Sequence, residues 1–266
     1  MKVLTKYFKK RENAINFLLK KPQLAYTPDT FHKLRVEIKK LNAFFELINF
    51  CSNGFKQKKT FKPFKLIFHH AGKVRELQVE EAMLRKYFLK NLLKEYRGSL
   101  KELQLKEQKV FFSIANKMFA TRLNEKYCQI VPFLKKIDKN KVKSYMEKKR
   151  KLIEKLLSQY TLQKPQIHAL RKSLKTFNYN RKSLDLEKKN KLLPKKDVLS
   201  ELLGKWHDCR IIIRHLRKAI DTGGINLKEV SQIKKITAKF SSESQQLFNK
   251  MKVVIPSSEF LAVHKK

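Results

Sequence analysis

Hydrophobic residues recur with a helical period along almost the whole chain. Apolar positions three and four residues apart place such residues on one side of a helix. The first segment shows the pattern with Leu4, Tyr7, Phe8, Ile15, Leu18 and Leu19. No stretch shows the strict alternation of apolar and polar residues that is typical of a half-buried β-strand. The pattern therefore predicts an all-α chain.

Breaks in this pattern divide the chain into eight predicted helices. Residues that cap or interrupt helices mark the boundaries: Pro22, the segment TPDT (Thr27 to Thr30), Asn53-Gly54, Arg97-Gly98-Ser99, Asp138, Pro165, Pro194, Gly223-Gly224 and Asn226. The third helix is expected from about Phe61 to Tyr96, and the fourth from the Arg97-Gly98-Ser99 break to about Ile137. The eighth is expected to end near Val254. The chain thus reads as four helices followed by four more.

Two stretches of the chain share the pattern H-x-L-R-x-x-x-K-x-x-N. They are HKLRVEIKKLNA from His32 and HALRKSLKTFNY from His168, at an offset of 136 residues. A second pair, HAGKVRELQ and LLGKWHDCR, aligns Gly72 with Gly204 at an offset of 132. A repeat of this size predicts two four-helix bundles, residues 1–137 and 138–266, related by a pseudo-twofold axis.

The shared pattern places basic side chains in a stripe along each helix. Residues at i, i+3 and i+7 share one helix face, which gives two stripes: His32, Arg35 and Lys39, and His168, Arg171 and Lys175. Only 12 of the 63 basic residues are Arg, yet both stripes have Arg at the same position. The planar guanidinium can hold a phosphate through two parallel hydrogen bonds, which the Lys ammonium cannot do. The stripes therefore indicate phosphate binding.

Net charge points in the same direction. The chain has 63 Lys and Arg against 23 Asp and Glu, a formal charge of +40. Positive charges in such excess repel one another and favour an anionic partner. That partner could be nucleic acid, an anionic membrane surface or an inorganic polyanion. A generally basic surface without a specific ligand is the alternative. No apolar run reaches the 18 residues of a membrane span.

Cysteine usage and the first residues of the chain bear on location. Cys51, Cys128 and Cys209 lack metal-ligand spacing, so all three are expected to be reduced core residues of a cytoplasmic protein. The N-terminal segment is interrupted by charges every few residues, which is unlike a secretory signal.

These motifs resemble the CHAD domain, the conserved histidine α-helical domain, over essentially the whole chain. The resemblance implies two four-helix bundles around a basic central cavity that binds inorganic polyphosphate. The family motif positions correspond to His32, Arg35, Lys39, His168, Arg171, Lys172 and Lys175. Neighbouring basic residues complete the predicted polyphosphate site: Lys40, Lys73, Arg75, Lys205 and His207. Association with polyphosphate granules in the cytoplasm would be compatible with this ligand.

Several positions depart from the family pattern. A further Arg that often follows the motif Lys is replaced by Asn42 in one copy and Asn178 in the other. The Arg-Asp pair of the third helix becomes Arg75-Glu76 and His207-Asp208. Because a carboxylate is a poor phosphate ligand, these acids are interpreted as partners that position nearby cations.

Other functions receive less support from the sequence. Phosphoryl hydrolysis usually needs acidic metal ligands, and the chain has no E-x-E-x-K, Walker A or H-E-x-x-H motif, so a non-catalytic protein without metal or cofactor is expected. Glu80-Glu81 is interpreted as a solvated pair. Nucleic-acid binding is the alternative function, since the same charge attracts any polyanion. Most Phe residues occupy apolar helix positions, which favours core packing over base stacking.

Overall fold

The structure, a computed structural model, describes residues 2–87, 92–159, 163–184, 198–223 and 225–255. All regular elements within these residues are helical, which confirms the all-α prediction. The described part of the chain contains a short 3-10 helix, Gln23–Ala25, and nine α-helices: α1 (Lys2–Leu19), α2 (Pro28–Cys51), α3 (Gln57–Tyr87), α4 (Lys94–Ile114), α5 (Lys117–Lys135), α6 (Lys139–Leu157), α7 (Lys164–Ser183), α8 (Val198–Asp221) and α9 (Leu227–Val254). The predicted helix start near Pro194 and the position of Gly224 lie outside the described residues.

Two predicted helix starts are confirmed by their caps. Before α2, the Thr27 hydroxyl accepts a hydrogen bond from the Thr30 N–H at 3.3 Å, and the Thr30 hydroxyl accepts one from the Thr27 N–H at 3.4 Å. This reciprocal arrangement satisfies donors that a helix start leaves unpaired. Pro28 occupies the first turn, where no donor is needed. Before α6, the Asp138 carboxylate accepts from the Asn140 N–H at 2.8 Å.

The predicted fourth helix is wrong in one respect, because two helices, α4 and α5, replace a single long one. The side chain of Asn116 accepts a hydrogen bond from the Phe119 N–H at 2.9 Å and so starts a new helix. Asn competes with the helical backbone for such bonds. The apolar pattern hides the break, since Phe111 and Phe119 are buried on either side of it.

The predicted break at Arg97-Gly98-Ser99 is also wrong, because these residues lie inside α4. The carboxylate of Glu229 on α9 accepts hydrogen bonds from the backbone N–H groups of Glu95 and Tyr96, each at 3.0 Å. A carboxylate at this end also opposes the positive end of the helix dipole. A tertiary contact therefore supports the start of α4, and it outweighs the helix-breaking tendency of Gly98, about 1 kcal/mol relative to Ala.

The described residues form two compact units. The first unit is drawn from Met1–Arg75, Gln104–Lys151 and Lys175–Leu193, and the second from Glu76–Leu103, Leu152–Leu174 and Pro194–Lys266. Each unit takes residues from both sides of position 137. The repeat halves 1–137 and 138–266, their pseudo-twofold relation and the central cavity stay predictions.

Aromatic rings dominate the core of the first unit. The fully buried rings are those of Phe8, Phe31, Phe44, Phe45, Phe64, Phe111 and Tyr127. They form two groups of ring contacts. In one, Phe31 lies 5.1 Å from Phe111 between ring centroids, and the other joins Phe44, Phe8, Tyr127, Phe64 and Phe45 in succession. Phe45 and Phe111 thus confirm that Phe residues at apolar helix positions pack in a core. The charged residues lie mainly on the helix faces that point away from this core.

The cysteines are free, and two of them behave as core residues. Cys51 and Cys209 are buried, whereas Cys128 is exposed, so its predicted core position is wrong. Cys128 follows Tyr127 on α5, and the two side chains point about 100° apart around the helix, so only Tyr127 reaches the core. Burial raises the pKa of the Cys51 thiol to about 11 and that of Cys209 to about 12, which keeps both protonated.

The interpretation of Glu80-Glu81 as a solvated pair is wrong for Glu80. Consecutive helix residues point about 100° apart, and the Glu80 side chain is directed into the core of the second unit, where it is fully buried. The Tyr96 hydroxyl donates to one carboxylate oxygen at 2.5 Å, and Nδ1 of His215 lies 2.6 Å from the other. Burial, followed by the carboxylate of Glu80, raises the pKa of Tyr96 well above its ordinary value.

We expect Tyr96→Phe to lower the free energy of unfolding by about 1.5–3 kcal/mol, because a buried carboxylate would lose a donor. The matched control is Tyr127→Phe, since the Tyr127 hydroxyl is buried without a hydrogen-bond partner in the described part of the chain. That variant should change the stability by less than about 0.5 kcal/mol or increase it. Urea denaturation of both variants measures the difference. Equal losses would show that the Glu80 network contributes nothing specific.

Candidate functional site

The first unit gathers basic residues from three helices around His32. Partial burial of the imidazole lowers the pKa of His32, and the positive charges of Arg75, Lys39 and Lys175 lower it further, against the opposing effect of Asp29. Arg35 and Lys39 both lie over the ring of Phe68. We call this set the first basic cluster, and its members are His32, Arg35, Lys39, Arg75 and Lys175. It joins the first motif copy on α2 to Arg75 of α3 and to Lys175 of the second copy on α7.

Arg35 is held in one position by the surface of α3. Its guanidinium donates a hydrogen bond from Nη1 to the carbonyl oxygen of Phe68 at 3.1 Å and lies 4.4 Å from the centre of the Phe68 ring. A Cβ atom at Gly72 would fall only 1.9 Å from this Nη1. Gly72 is therefore required for the approach of Arg35. The aligned Gly204 has no such neighbour, since a Cβ there would meet none of the described atoms within 4 Å.

Two predicted site residues of the first unit, Lys40 and Lys73, form ion pairs within the protein. Lys40 lies 2.7 Å from Glu37, which also pairs with the buried Arg11 at 2.7 Å. Lys73 lies 3.2 Å from Glu107. These contacts offset part of the positive charge of the two lysines, so they are weaker candidates for phosphate contact than the first basic cluster.

The second unit contains an open cleft of about 670 Å³ between α7 and α8. Its lining is strongly basic, with six side chains that we call the second basic cluster: His168, His207, Arg210, Arg214, Arg217 and Lys218. Among the described residues of this lining, Asp221 is the single acidic one. The rings of His168 and His207 lie 5.6 Å apart between centroids. Both of these histidines are predicted site residues, and the structure brings them together.

Helical spacing explains why α8 presents so many cations to the cleft. Positions 207, 210, 214, 217 and 221 follow one another at intervals of three or four residues, and position 218 is four residues after 214, so all six lie on one broad face. The other face carries buried residues such as Cys209, Ile212 and Leu216. Because that apolar face packs against the core of the unit, the basic face of α8 is directed toward the cleft.

The carboxylate of Glu76 lies close to Arg214, one of the cations of the cleft. Arg214 lies 3.6 Å from the carboxylate of Glu76 on α3, and His215 Nε2 lies 3.8 Å from the same carboxylate. This contact agrees with the interpretation of Glu76 as a positioning partner. Arg217 and Lys218 form no ion pair with any residue that the structure describes. Their charge remains available to a ligand.

The three arginines of the cleft were not among the predicted site residues. Arg210, Arg214 and Arg217 are a quarter of the 12 Arg residues in a chain where Lys dominates. Three Arg residues within eight positions of one helix are a feature of the sequence that could have indicated an anion-binding site. The repeat does not reveal it, because Arg210 aligns with Gln78 and Arg214 with Ala82, and only Arg217 has a counterpart in Arg85.

The remaining predicted residues lie apart from the cleft lining. Lys205 is paired with Glu201 at 3.0 Å and borders a different pocket of about 450 Å³, together with Lys86, Lys239 and Lys250. Five residues separate it from Arg210, which places it about 140° away around the helix. Lys172 is exposed and Arg171 half-buried on α7. The second motif copy is thus divided, with His168 in the cleft and Lys175 in the first basic cluster.

No helix in the described residues is both long and apolar enough to cross a membrane. The described residues also contain no group of three or more His, Cys, Asp or Glu side chains that could hold a metal ion.

Comparison with known proteins identifies the fold. No family model and no curated protein sequence matches this chain. Among solved structures, the crystal structure of the CHAD domain from the plant Ricinus communis is similar, with a TM-score of 0.69 and 13% sequence identity. The match covers 97% of this chain and 90% of that one. The chain therefore has a CHAD-like fold, as the repeated His-Arg-Lys motif predicts.

Proposed function

We propose that this protein binds inorganic polyphosphate through its basic clusters and does so without catalysis. The observation that carries the proposal is the second basic cluster, in which six basic side chains and one acid line a single cleft. Bringing like charges together costs free energy unless an anion neutralises them. A chain of closely spaced phosphates would supply that neutralisation along the whole length of the cleft.

The residue types favour phosphate over other anions. Three of the six basic side chains in the cleft are Arg, whose forked guanidinium matches two oxygens of one phosphate. His168 and His207 can add hydrogen bonds, and a nearby phosphate would favour their charged form. Successive turns of α8 present Arg210, Arg214 and Arg217, so several phosphates of one chain can be contacted in sequence.

The first basic cluster supports the same function independently. The lowered pKa of His32 reports partial desolvation and three nearby positive charges. An anion bound there would relieve the repulsion and raise the pKa of His32. Each unit therefore carries its own candidate phosphate site. The CHAD-like fold agrees with the ligand that the sequence resemblance implies.

Nucleic acid and catalysis fit these sites less well. Proteins that bind single-stranded nucleic acid usually stack bases on exposed aromatic rings, whereas the rings of the first unit mostly lie in its core. Metal-assisted phosphoryl transfer usually relies on several carboxylate ligands. The described residues of the cleft lining offer Asp221 alone as a carboxylate, and Glu80 is engaged by Tyr96 and His215. Nucleic acid remains a competing polyanion because the net charge attracts it as well.

Replacement of Arg217 tests the proposed cleft. We expect Arg217→Ala to weaken the binding of a polyphosphate of defined length by roughly 10- to 100-fold, since one charge-assisted contact contributes about 1.5–3 kcal/mol. Arg217→Lys should recover part of the loss, because it keeps the charge and loses the fork. Isothermal titration calorimetry at near-physiological salt measures the affinities, and circular dichroism verifies folding.

The matched control for Arg217 is Arg122→Ala, which removes the same charge from an exposed position on α5, outside both basic clusters. Screening by salt should leave its affinity within about twofold of the unmodified protein. Equal losses for Arg217→Ala and Arg122→Ala would mean that binding depends on net charge alone, and the assignment of the cleft would be wrong.

Substitution of Gly72 tests the first basic cluster. Gly72→Ala places a methyl group where Arg35 Nη1 lies, so the guanidinium must leave its contact with the Phe68 carbonyl. We expect a loss of polyphosphate affinity of roughly 5- to 30-fold, from the displacement of one charge-assisted contact. The same titration with polyphosphate measures the effect.

Gly204→Ala is the control for Gly72, because the aligned position has open space around it. It should bind polyphosphate normally and be slightly more stable, since Ala is the better helix former by about 1 kcal/mol. The double variant Arg35→Ala/Gly72→Ala removes the clash and separates a folding defect from a binding defect. Normal binding by a folded Gly72→Ala protein would exclude Arg35 from the site.

A further inference from the structure

A smaller cleft of about 270 Å³ adjoins the basic cleft within the second unit. It lies between α8 and α9 and shares part of its wall with the basic cleft, including Trp206, Arg210 and Arg217. We call it the α9 annex. Its α9 side has a different chemistry, with Ser244, Gln245 and Phe248 among the lining residues. Arg210 and Arg217 thus lie in the wall shared by the cationic basic cleft and the annex, whose described α9 residues are neutral.

The α9 side of the annex lacks the charge that a bare phosphate chain favours. Phosphate is held most strongly by cations, whereas the described α9 residues of the annex offer neutral hydroxyl, amide and aromatic groups. Phe248 is half-buried, and Lys252 lies 4.8 Å from the centre of its ring. The Gln245 amide donates to Asn249 at 3.2 Å, which holds it on the annex rim. An aromatic ring beside an amide is the usual environment for a flat heterocycle with polar edges.

We propose that the basic cleft and the α9 annex together bind a nucleoside polyphosphate. Its phosphates would lie along Arg210 and Arg217, and its base would pack against Phe248, with the Gln245 amide at the base edge. The proposal rests on the phosphate-binding function assigned to the basic cleft and extends it to an organic end group. Trp206 is buried with Arg210 6.0 Å from its ring centre, so it forms the floor that both clefts share.

The test compares adenosine triphosphate with inorganic tripolyphosphate, which has the same number of phosphates and no nucleoside. Trp206 is the single tryptophan of the chain, so its fluorescence reports binding at the shared wall directly. Tripolyphosphate carries more negative charge, and charge alone would therefore favour it. We expect adenosine triphosphate to bind about tenfold more tightly because of base stacking.

Variants of the annex identify the source of this preference. Phe248→Ala and the exposed Gln245→Ala should each reduce the affinity for adenosine triphosphate several-fold and leave that for tripolyphosphate unchanged. Phe50→Ala, which removes a partly exposed ring of α2 in the first unit, is the matched control and should change neither. Because Gln245 lies on the surface, its substitution tests the annex even if Phe248→Ala fails to fold.

The outcomes separate this inference from the proposed function. Equal binding of the two ligands, or tighter binding of tripolyphosphate, overturns the annex proposal and leaves phosphate binding intact. A preference for adenosine triphosphate that survives both annex substitutions also overturns it. If neither ligand nor long-chain polyphosphate binds, the proposed function itself is wrong.

Discussion

Repulsion among cations on the solvent-facing sides of the helices is the constraint on which the rest of this structure depends. With 63 basic and 23 acidic residues, the carboxylates can neutralise only a minority of the positive charges. Several of them have specific structural partners: Glu37 pairs with Arg11 and Lys40, Glu81 with Arg97, and Glu229 with the start of α4. Little acidic charge is left for the cleft, where Asp221 is the one acidic residue of the described lining beside six basic side chains and Glu76 lies near Arg214. The field there stays positive and favours an anionic ligand.

Arginines with defined neighbours distinguish the two basic clusters from the generally basic surface. Arg35 is fixed by the Phe68 carbonyl and by the space at Gly72, and Arg214 lies 3.6 Å from the Glu76 carboxylate. A fixed guanidinium loses less conformational entropy on binding than a mobile lysine does, so each contact contributes more to affinity. The surroundings of Gly72 and Gly204 differ although their sequences align. Aligned positions in the two repeats therefore need not have equivalent roles in binding.

Much of the local structure is predictable from the sequence, because helical period and capping residues act over a few positions. Thr27 and Asp138 cap helices as expected, and Phe45 and Phe111 pack in a core. Features that depend on distant residues could not be predicted in this way. The start of α4 depends on Glu229 of α9, more than 130 residues away in sequence. The burial of Glu80 depends on Tyr96 and His215, which periodicity does not identify.

The candidate site was predictable to a similar extent. The motif identifies His32, Arg35 and His168, since one helix face can be deduced from spacing alone. It does not reveal that Lys175 of the second copy joins the cluster around His32, nor that α8 contributes three arginines. Which helix faces meet is decided by tertiary packing, and spacing along the sequence does not reveal it.

Competition between two polyanions tests the central claim most directly. Long-chain polyphosphate is titrated against fluorescently labelled duplex DNA at near-physiological salt, with both concentrations expressed as phosphate and DNA displacement followed by anisotropy. If the clefts recognise a thin phosphate chain, polyphosphate should displace DNA when DNA phosphate is in at least tenfold excess, because a duplex is too wide to enter them. Both affinities should fall as salt rises, through counterion release. DNA binding equal to or tighter than polyphosphate binding would contradict the account.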